Sequence, residues 1–506
     1  MALLMLGGEP EPRGLPPSGA LLGWTSNDAV VVEARGLVAK GRWSDAEKLL
    51  QEAPGGGPES VQARSEMLEI IRRLRIDYAV EESALLAKIH KDLPGVTGGD
   101  LKRWREAGQV RFRMVDGQVR YFRSEPRNLF RFCPEARRRL SEHAPQALPT
   151  AGDKEKRLER AAHLKAVIAA AERTGKTEVL PVRHRVRFTL TVAPNRPGAR
   201  AGSVIRCWLP FPQVYRQQKD VKLLRTSPAE HVIAPNALGE TADPESIIQS
   251  PRSDFPGAAQ RTVYFEQKIE DPGKPIVFEE EFEYTSYAYY PVLRDEEVRP
   301  LPAGFDPVYL AERPPHIVFT PQIKALAQKI VGNETNPLAK ARKIFHYLDQ
   351  TVLWGPEEEY SIIPSFCMQA LTRKQGDCGL QAALFMTLCR YVGVPTRWQS
   401  GYQTQPWSPN MHDWAEMYIE PWGWLPVDVS YGLQEGDDPK VRAFYLGHQD
   451  SYRLIVNLDY GRPLFPPKAA PRSEPADFQR GEVEIDGRNL YYDEWDSDYK
   501  IEWRPG

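Results

Sequence analysis

The apolar residues of this chain change period near residue 179, from helical spacing to strict alternation, and one core layer cannot accommodate both patterns. Residues 29–53 (AVVVEARGLVAKGRWSDAEKLLQEA) read as a helical hairpin, with Gly41 at the break and Ser44 as N-cap of the second helix. A short helix at 100–107 precedes two alternating runs, 110–115 and 118–122, joined by Asp116-Gly117, a strong hairpin dipeptide. After a Pro/Ala/Gly linker at 143–153 and a charged helix at 154–174, residues 185–192 alternate strictly. Val186, Phe188, Leu190 and Val192 then share one face. Further strand candidates at 204–209, 262–266 and 276–284, with no helix between them, predict a β-sandwich.

Helices return after Pro315. Thr320 is a predicted N-cap with Pro321 at the first helical position, and Asn336-Pro337 opens the next helix in the same way. A third helix starts at Asp377 or Cys378 and ends at Gly393, its stripe made by Leu380, Leu384, Leu388 and Tyr391. Strands follow at 396–404, 412–420 and 424–430, and a last hairpin turns at Asp486-Gly487.

The bulk numbers exclude several classes. At 506 residues the chain is long enough for about three folded units. A net charge of -2 gives no reason to expect nucleic acid or an anionic membrane as partner, and no apolar run is long enough to span a bilayer. The hairpin module carries Lys102, Arg103, Arg105, Arg111, Arg113, Arg120 and Arg123, which read as a solvated face rather than a nucleic-acid reader. Residues 1–8 (MALLMLGG) fit the stub of an export signal and leave the compartment open, as the sequence leaves the oligomeric state. Five scattered cysteines have neither metal-site spacing nor an even count, so no metal or other cofactor is expected and at least one thiol is free.

Cys378 is the candidate nucleophile. Gly376-Asp377-Cys378 puts its sulfur in the first turn of a helix, where unpaired N–H groups and the helix dipole favour a thiolate. Cys389 lies in the same helix as core, and Cys133, Cys207 and Cys367 have no local activating pattern. His412, at the start of an alternating segment behind a loop at 403–411, is the candidate base. Asp428, sixteen residues further on the return strand, is the candidate orienter of that histidine. Direct cross-strand pairing of the two would centre the turn on Glu420, about two positions from Pro421-Trp422-Gly423; Glu416 is the fallback carboxylate.

These residues carry a resemblance. Gly376-Asp377-Cys378, then Arg390-Tyr391-Val392-Gly393-Val394-Pro395-Thr396-Arg397, then His412-Asp413-Trp414-Ala415-Glu416 and Gly423-Trp424 to Asp428, resemble the three blocks of the transglutaminase-like superfamily in order. The resemblance implies a papain-like α+β core with Cys378, His412 and Asp428 as a triad. It also implies an oxyanion hole made by the nucleophile's own N–H and an upstream donor, for which Trp354, Gln375 and Tyr360 are candidates. Trp407, Trp414 and Tyr402 are candidates for the substrate cleft.

The expected fold is α+β and multidomain: a mostly helical N-terminal region with a small helix-plus-hairpin module (1–145), a linker and charged helix (146–178), a β-sandwich-like domain (179–312), a papain-like transglutaminase core (313–435) and a β-rich C-terminal extension (436–506). The expected activity is covalent acyl transfer on a protein or peptide substrate, favouring hydrolysis of a peptide or isopeptide bond. Glutamine transamidation and a non-catalytic binding scaffold with a vestigial core are the alternatives.

Overall fold

A computed structural model describes residues 19–150, 153–237 and 259–505, so the apolar stub at 1–8 lies outside the described residues. In the N-terminal region, helices Ala29–Ala39, Trp43–Glu52 and Pro58–Asp77 enclose Trp43, Met67, Ile70 and Leu74. Asp28 caps the first, accepting from the N–H groups of Val30 and Val31. Ser44 is not the expected cap, because the second helix already starts at Trp43. The Ser44 N–H and hydroxyl instead donate to Asp116 of the hairpin, at 2.9 and 2.8 Å. That hairpin pairs Phe112–Val115 with Gln118–Tyr121 through Asp116 and Gly117, at φ 50° and 83°, the left-handed conformations that the Asp-Gly dipeptide supplies.

The arginines of this hairpin are not all a solvated face. Arg111 forks onto Glu357 at 2.7 and 2.8 Å, and Arg113 lies over the Tyr78 ring while approaching Glu358 at 3.8 Å. Glu357 and Glu358 also receive Arg373. The cluster joins the N-terminal region to the segment just ahead of the Cys378 helix. Removing one partner would strand buried charge.

Helix Asp153–Thr174, expected as a charged helix following a linker, buries Leu164, Val167 and Ala171 among the residues of the helical core that follows. The sandwich has two sheets. One runs Glu482–Ile485, Val204–Pro210, Thr262–Lys268, with short strands at each edge. The other runs Trp495–Pro505, Glu178–Val192, Ile276–Tyr289, Gln218–Ser227. The expected C-terminal extension (436–506) is divided: Arg453–Asn457 joins the sheet of the helical core, whereas the later strands join the sandwich, where Trp495 to Pro505 pair antiparallel with Val192 to Val182. Strand Gln218–Ser227 escapes a pattern reading because it is an edge strand whose residues are mostly polar and half-exposed.

The remaining core packs helices Pro321–Val331, Pro337–Thr351, Phe366–Arg373 and Cys378–Tyr391 against a four-stranded antiparallel sheet. Thr320 and Asn336 cap the first two helices as their sequences predict, each with proline at the first helical position. Sheet order is Gly423–Val427, Asn410–Ile419, Thr396–Gln403, Arg453–Asn457. Gly379 to Arg390 are all buried, so the Cys378 helix has no solvated side and is held by packing all round. Each fully buried leucine there contributes about 1.5–3 kcal/mol relative to exposure.

Candidate active site

Asp377 caps the Cys378 helix by accepting from Leu380 N–H at 3.2 Å, which puts Cys378 at its first residue. The five cysteines are free thiols; Cys378 is half-buried and the other four are buried. Gly379 must be glycine. A Cβ there would lie 2.1 Å from the Tyr360 hydroxyl oxygen and 2.7 Å from the Trp398 ring.

Strand Asn410–Ile419 brings His412 to the same cavity, of about 720 Å³, that Cys378 lines. His412 Nε2 and Asp428 Oδ2 are 2.7 Å apart. The strand register explains this contact. Ala415 pairs with Val427, which places Asp428 opposite Trp414 and diagonal to His412. The two-position offset read from the sequence is real, and diagonal reach across one face of the hairpin bridges it. Arg453, buried on the fourth strand, reaches Asp428 Oδ2 at 2.9 Å and Asp450 at 3.4 Å. Burial alone would raise the Asp428 pKa, but His412 and Arg453 outweigh it and hold the carboxyl well below its usual range. Burial pulls the His412 imidazole below its ordinary value, with Asp428 pulling the other way. The ring is therefore mostly neutral near pH 7, as a proton acceptor must be.

The thiol meets a different partner from the expected one. Cys378 Sγ donates to Asp413 Oδ2 at 3.4 Å, the residue next to His412 and on the opposite face of its strand. Burial, then Asp413 and Asp377, push the Cys378 thiol well above its ordinary pKa. The expected helix-entrance thiolate is therefore a protonated thiol in this state, because burial, reinforced by the nearby carboxylates, outweighs the helix dipole.

Those carboxyls share protons. Tyr360 Oη lies 3.0 Å from Asp377 Oδ1 and 2.9 Å from Asp413 Oδ2, and accepts from Gly379 N–H at 3.1 Å. A hydroxyl has one proton to donate, so one of the two carboxyls must itself carry a proton toward Tyr360. Burial pushes Asp377 up to about 6 and, with the Asp377 charge beside it, raises Asp413 as well. Asp377 accepts from Leu380 N–H as a cap, so Asp413 is the better proton holder. Gln479 Nε2 donates to its other oxygen at 2.9 Å.

The other sequence candidates divide. Trp354 and Tyr360 line the cavity, whereas Gln375 bridges to Leu353 on a short parallel ladder and does not. The loop behind His412 lines it through Gln403, Ser408, Asn410 and Met411. Trp407, Trp414 and Tyr402 do not line it. Trp407 packs edge-on against Tyr452, Trp414 donates to Gln399 at 2.7 Å inside the sheet, and the Tyr402 hydroxyl donates to the Gln479 carbonyl. Their aromatic bulk satisfies the interior. Glu416, the fallback carboxylate, is taken by Arg397 at 2.6 Å and Tyr215 at 2.8 Å. Sequence reading missed Asp413 and Arg453. The first had a visible signal: a carboxylate opening the strand face otherwise made of Ala415, Met417 and Ile419. Among the described residues no cluster of histidine, cysteine and carboxylate side chains has the geometry to hold a metal. Among them, too, no helix is long and apolar enough to cross a membrane.

A cysteine opening a buried helix against an antiparallel sheet, with a His–Asp pair on that sheet, places this core in the class of papain-like cysteine enzymes. More particularly, residues 324–429 match the core of the transglutaminase-like superfamily, and this part of the chain is a transglutaminase-like core domain. An uncharacterized protein of Haemophilus influenzae is 25% identical over 197 residues, 31% of this chain and 52% of its own. The chain thus spans about half the length of that curated relative. Among solved structures, a candidate cysteine protease from Cytophaga hutchinsonii superposes with a TM-score of 0.40 at 15% identity, over 65% of this chain and 92% of that one. The periplasmic domain of TgpA from Pseudomonas aeruginosa gives a TM-score of 0.25 at 16% identity, over 52% and 91%.

Proposed function

We propose that the chain is a cysteine-dependent acyl-transfer enzyme that hydrolyses a peptide or isopeptide amide through a thioester on Cys378. The observation that carries this reading is that a helix-opening thiol and an Asp428-held imidazole line one cavity. In the proposed cycle the Cys378 proton leaves for His412, with Asp413 as the group it first contacts. The sulfur attacks the amide carbonyl carbon. As the tetrahedral adduct collapses, the C–N bond breaks and His412 returns the proton to the departing amine. Water, deprotonated by His412, then cleaves the thioester. The Cys378 N–H, at the first position of its helix and with no acceptor among the described residues, is the first proposed oxyanion donor; the Tyr360 hydroxyl is the second, turning its one proton from Asp377 to the oxyanion as the adduct forms. Burial and the neighbouring acids keep that phenol protonated, as a donor must be.

The test pairs reactivity with turnover. Iodoacetamide should label Cys378 ahead of the four buried thiols, with a pH-dependent rate that falls in His412→Ala. A peptide library should be cleaved by the wild type, and Cys378→Ala should lose this activity completely. Equal slow labelling of several thiols, with no turnover, would favour a binding scaffold. A lysine amine captured in place of water would make the enzyme a transamidase.

A further inference from the structure

We propose that the helices ahead of the sandwich form a cationic wall of the Cys378 cleft that selects carboxylate-bearing peptide segments. This inference rests on the acyl-transfer reading and names its substrate class. Arg127 and Arg131 come from helix Arg127–Phe132, and Lys156 and Arg160 from helix Asp153–Thr174. All four line the cavity that holds Cys378 and His412. Each pair is spaced four residues apart, so each presents two cations from one helix face.

Other cations around the cavity are already engaged. Arg157 pairs with Glu435 at 3.4 Å, and Arg123 and Arg480 both hold Glu359. By contrast, among the described residues no ion pair joins Arg127, Arg131, Lys156 or Arg160 to a carboxylate. Asp153 and Glu435 line the same cavity, and Glu435 is the one held by Arg157. Aromatic rings hold two of them in place: the Arg131 guanidinium lies 5.0 Å from the Trp354 ring centre, and that of Arg160 3.9 Å from Tyr431. The Nε atoms of both are buried with no hydrogen-bond acceptor among the described residues. Burial and the charge of Arg127 both work against Arg131 holding its proton, a tension that an anionic ligand relieves.

The cations of the two helices thus give the cleft a positively charged wall, while burial pushes the acids near the thiol, Asp413 and Asp477, toward their neutral forms. A peptide binds with its carboxylates toward that wall.

Two matched probes test this: iodoacetyl-Glu-Glu-Glu-amide and iodoacetyl-Gln-Gln-Gln-amide, with alkylation of Cys378 followed by peptide mass spectrometry. At low ionic strength the glutamate probe should react at least about tenfold faster, and the ratio should shrink as salt screens the wall. In the Arg127→Gln/Lys156→Gln double variant, the ratio should fall to within about twofold of unity. Equal rates in the wild type, or a faster glutamine probe, would overturn the wall while leaving the nucleophile intact. If iodoacetamide itself fails to label Cys378 preferentially, the acyl-transfer reading falls and this inference with it.

Discussion

Replacing Asp413 by asparagine should make Cys378 more reactive at neutral pH, although it removes an acid beside the thiol. The carboxylate oxygen lies 3.4 Å from the sulfur. A thiolate and a carboxylate at that separation repel by about 5 kcal/mol at an effective dielectric of about 20. The wild-type enzyme escapes most of this cost because Asp413 already carries the proton it holds toward Tyr360, so thiolate forms beside a largely neutral Asp413. Asparagine keeps an amide oxygen for Gln479 to donate to and turns a neutral amide toward the sulfur. Even if only about 1.4 kcal/mol of the repulsion is left in the wild type, iodoacetamide should alkylate the Asp413→Asn variant about tenfold faster at pH 7. The assay is the second-order rate of Cys378 alkylation across pH 5–10, read by mass spectrometry, with circular dichroism confirming the fold. The rate profile should move to lower pH. An unchanged or slower rate in a folded variant would show that Asp413 does not set the thiol's proton affinity.

Further outcomes follow from the same geometry. His412→Ala should lower turnover by about 10²–10⁴-fold and lower Tm as well, because the buried ring packs on Trp414 and Tyr431 and is the partner of Asp428. Asp428→Asn should cost about 3–5 kcal/mol by thermal or urea unfolding, since it breaks a buried pair and leaves Arg453 with Asp450 alone. Because the folded carboxyl of Asp428 is depressed, its contribution is present above its unfolded pKa and lost as pH falls toward the folded one, so the variant should lose less stability on acidification. Glu280 is the opposite case: buried in strand Ile276–Tyr289 with neither oxygen hydrogen-bonded among the described residues, it is pushed well upward by burial. Its unfolded form ionises first, so stability declines by about 1.4 kcal/mol per pH unit above the unfolded pKa. Glu280→Gln should raise Tm at pH 7 and flatten that decline. Gly379→Ala, which would favour the helix elsewhere, should lower both Tm and turnover by driving a methyl into Tyr360.

Much of the site was legible because its signals are local. A glycine, a capping aspartate and a cysteine ahead of an apolar helix mark Cys378 without reference to anything distant. His412 and Asp428 share a hairpin whose turn residues fix the register to within the diagonal. What the pattern could not supply was pairing across long separations. Residues 495–505 read as strand, but nothing in them shows that their partner lies some 300 residues earlier. Charge was misleading in the same way. Arg111 and Arg113 look like a surface stripe, yet their partners Glu357 and Glu358 arrive from the transglutaminase-like core. The thiol's proton affinity was misjudged because the helix dipole is a local property, whereas the Asp377–Tyr360–Asp413 cluster is assembled by the tertiary fold.

Acid-quenched enzyme, mixed with a peptide library and weighed intact, gives the most direct reading of the mechanism. The account predicts a hydroxylamine-labile acyl adduct that maps to Cys378 and builds up when the deacylation step is slowed. Turnover that survives Cys378→Ala at the wild-type rate, with no adduct on that sulfur, would contradict it.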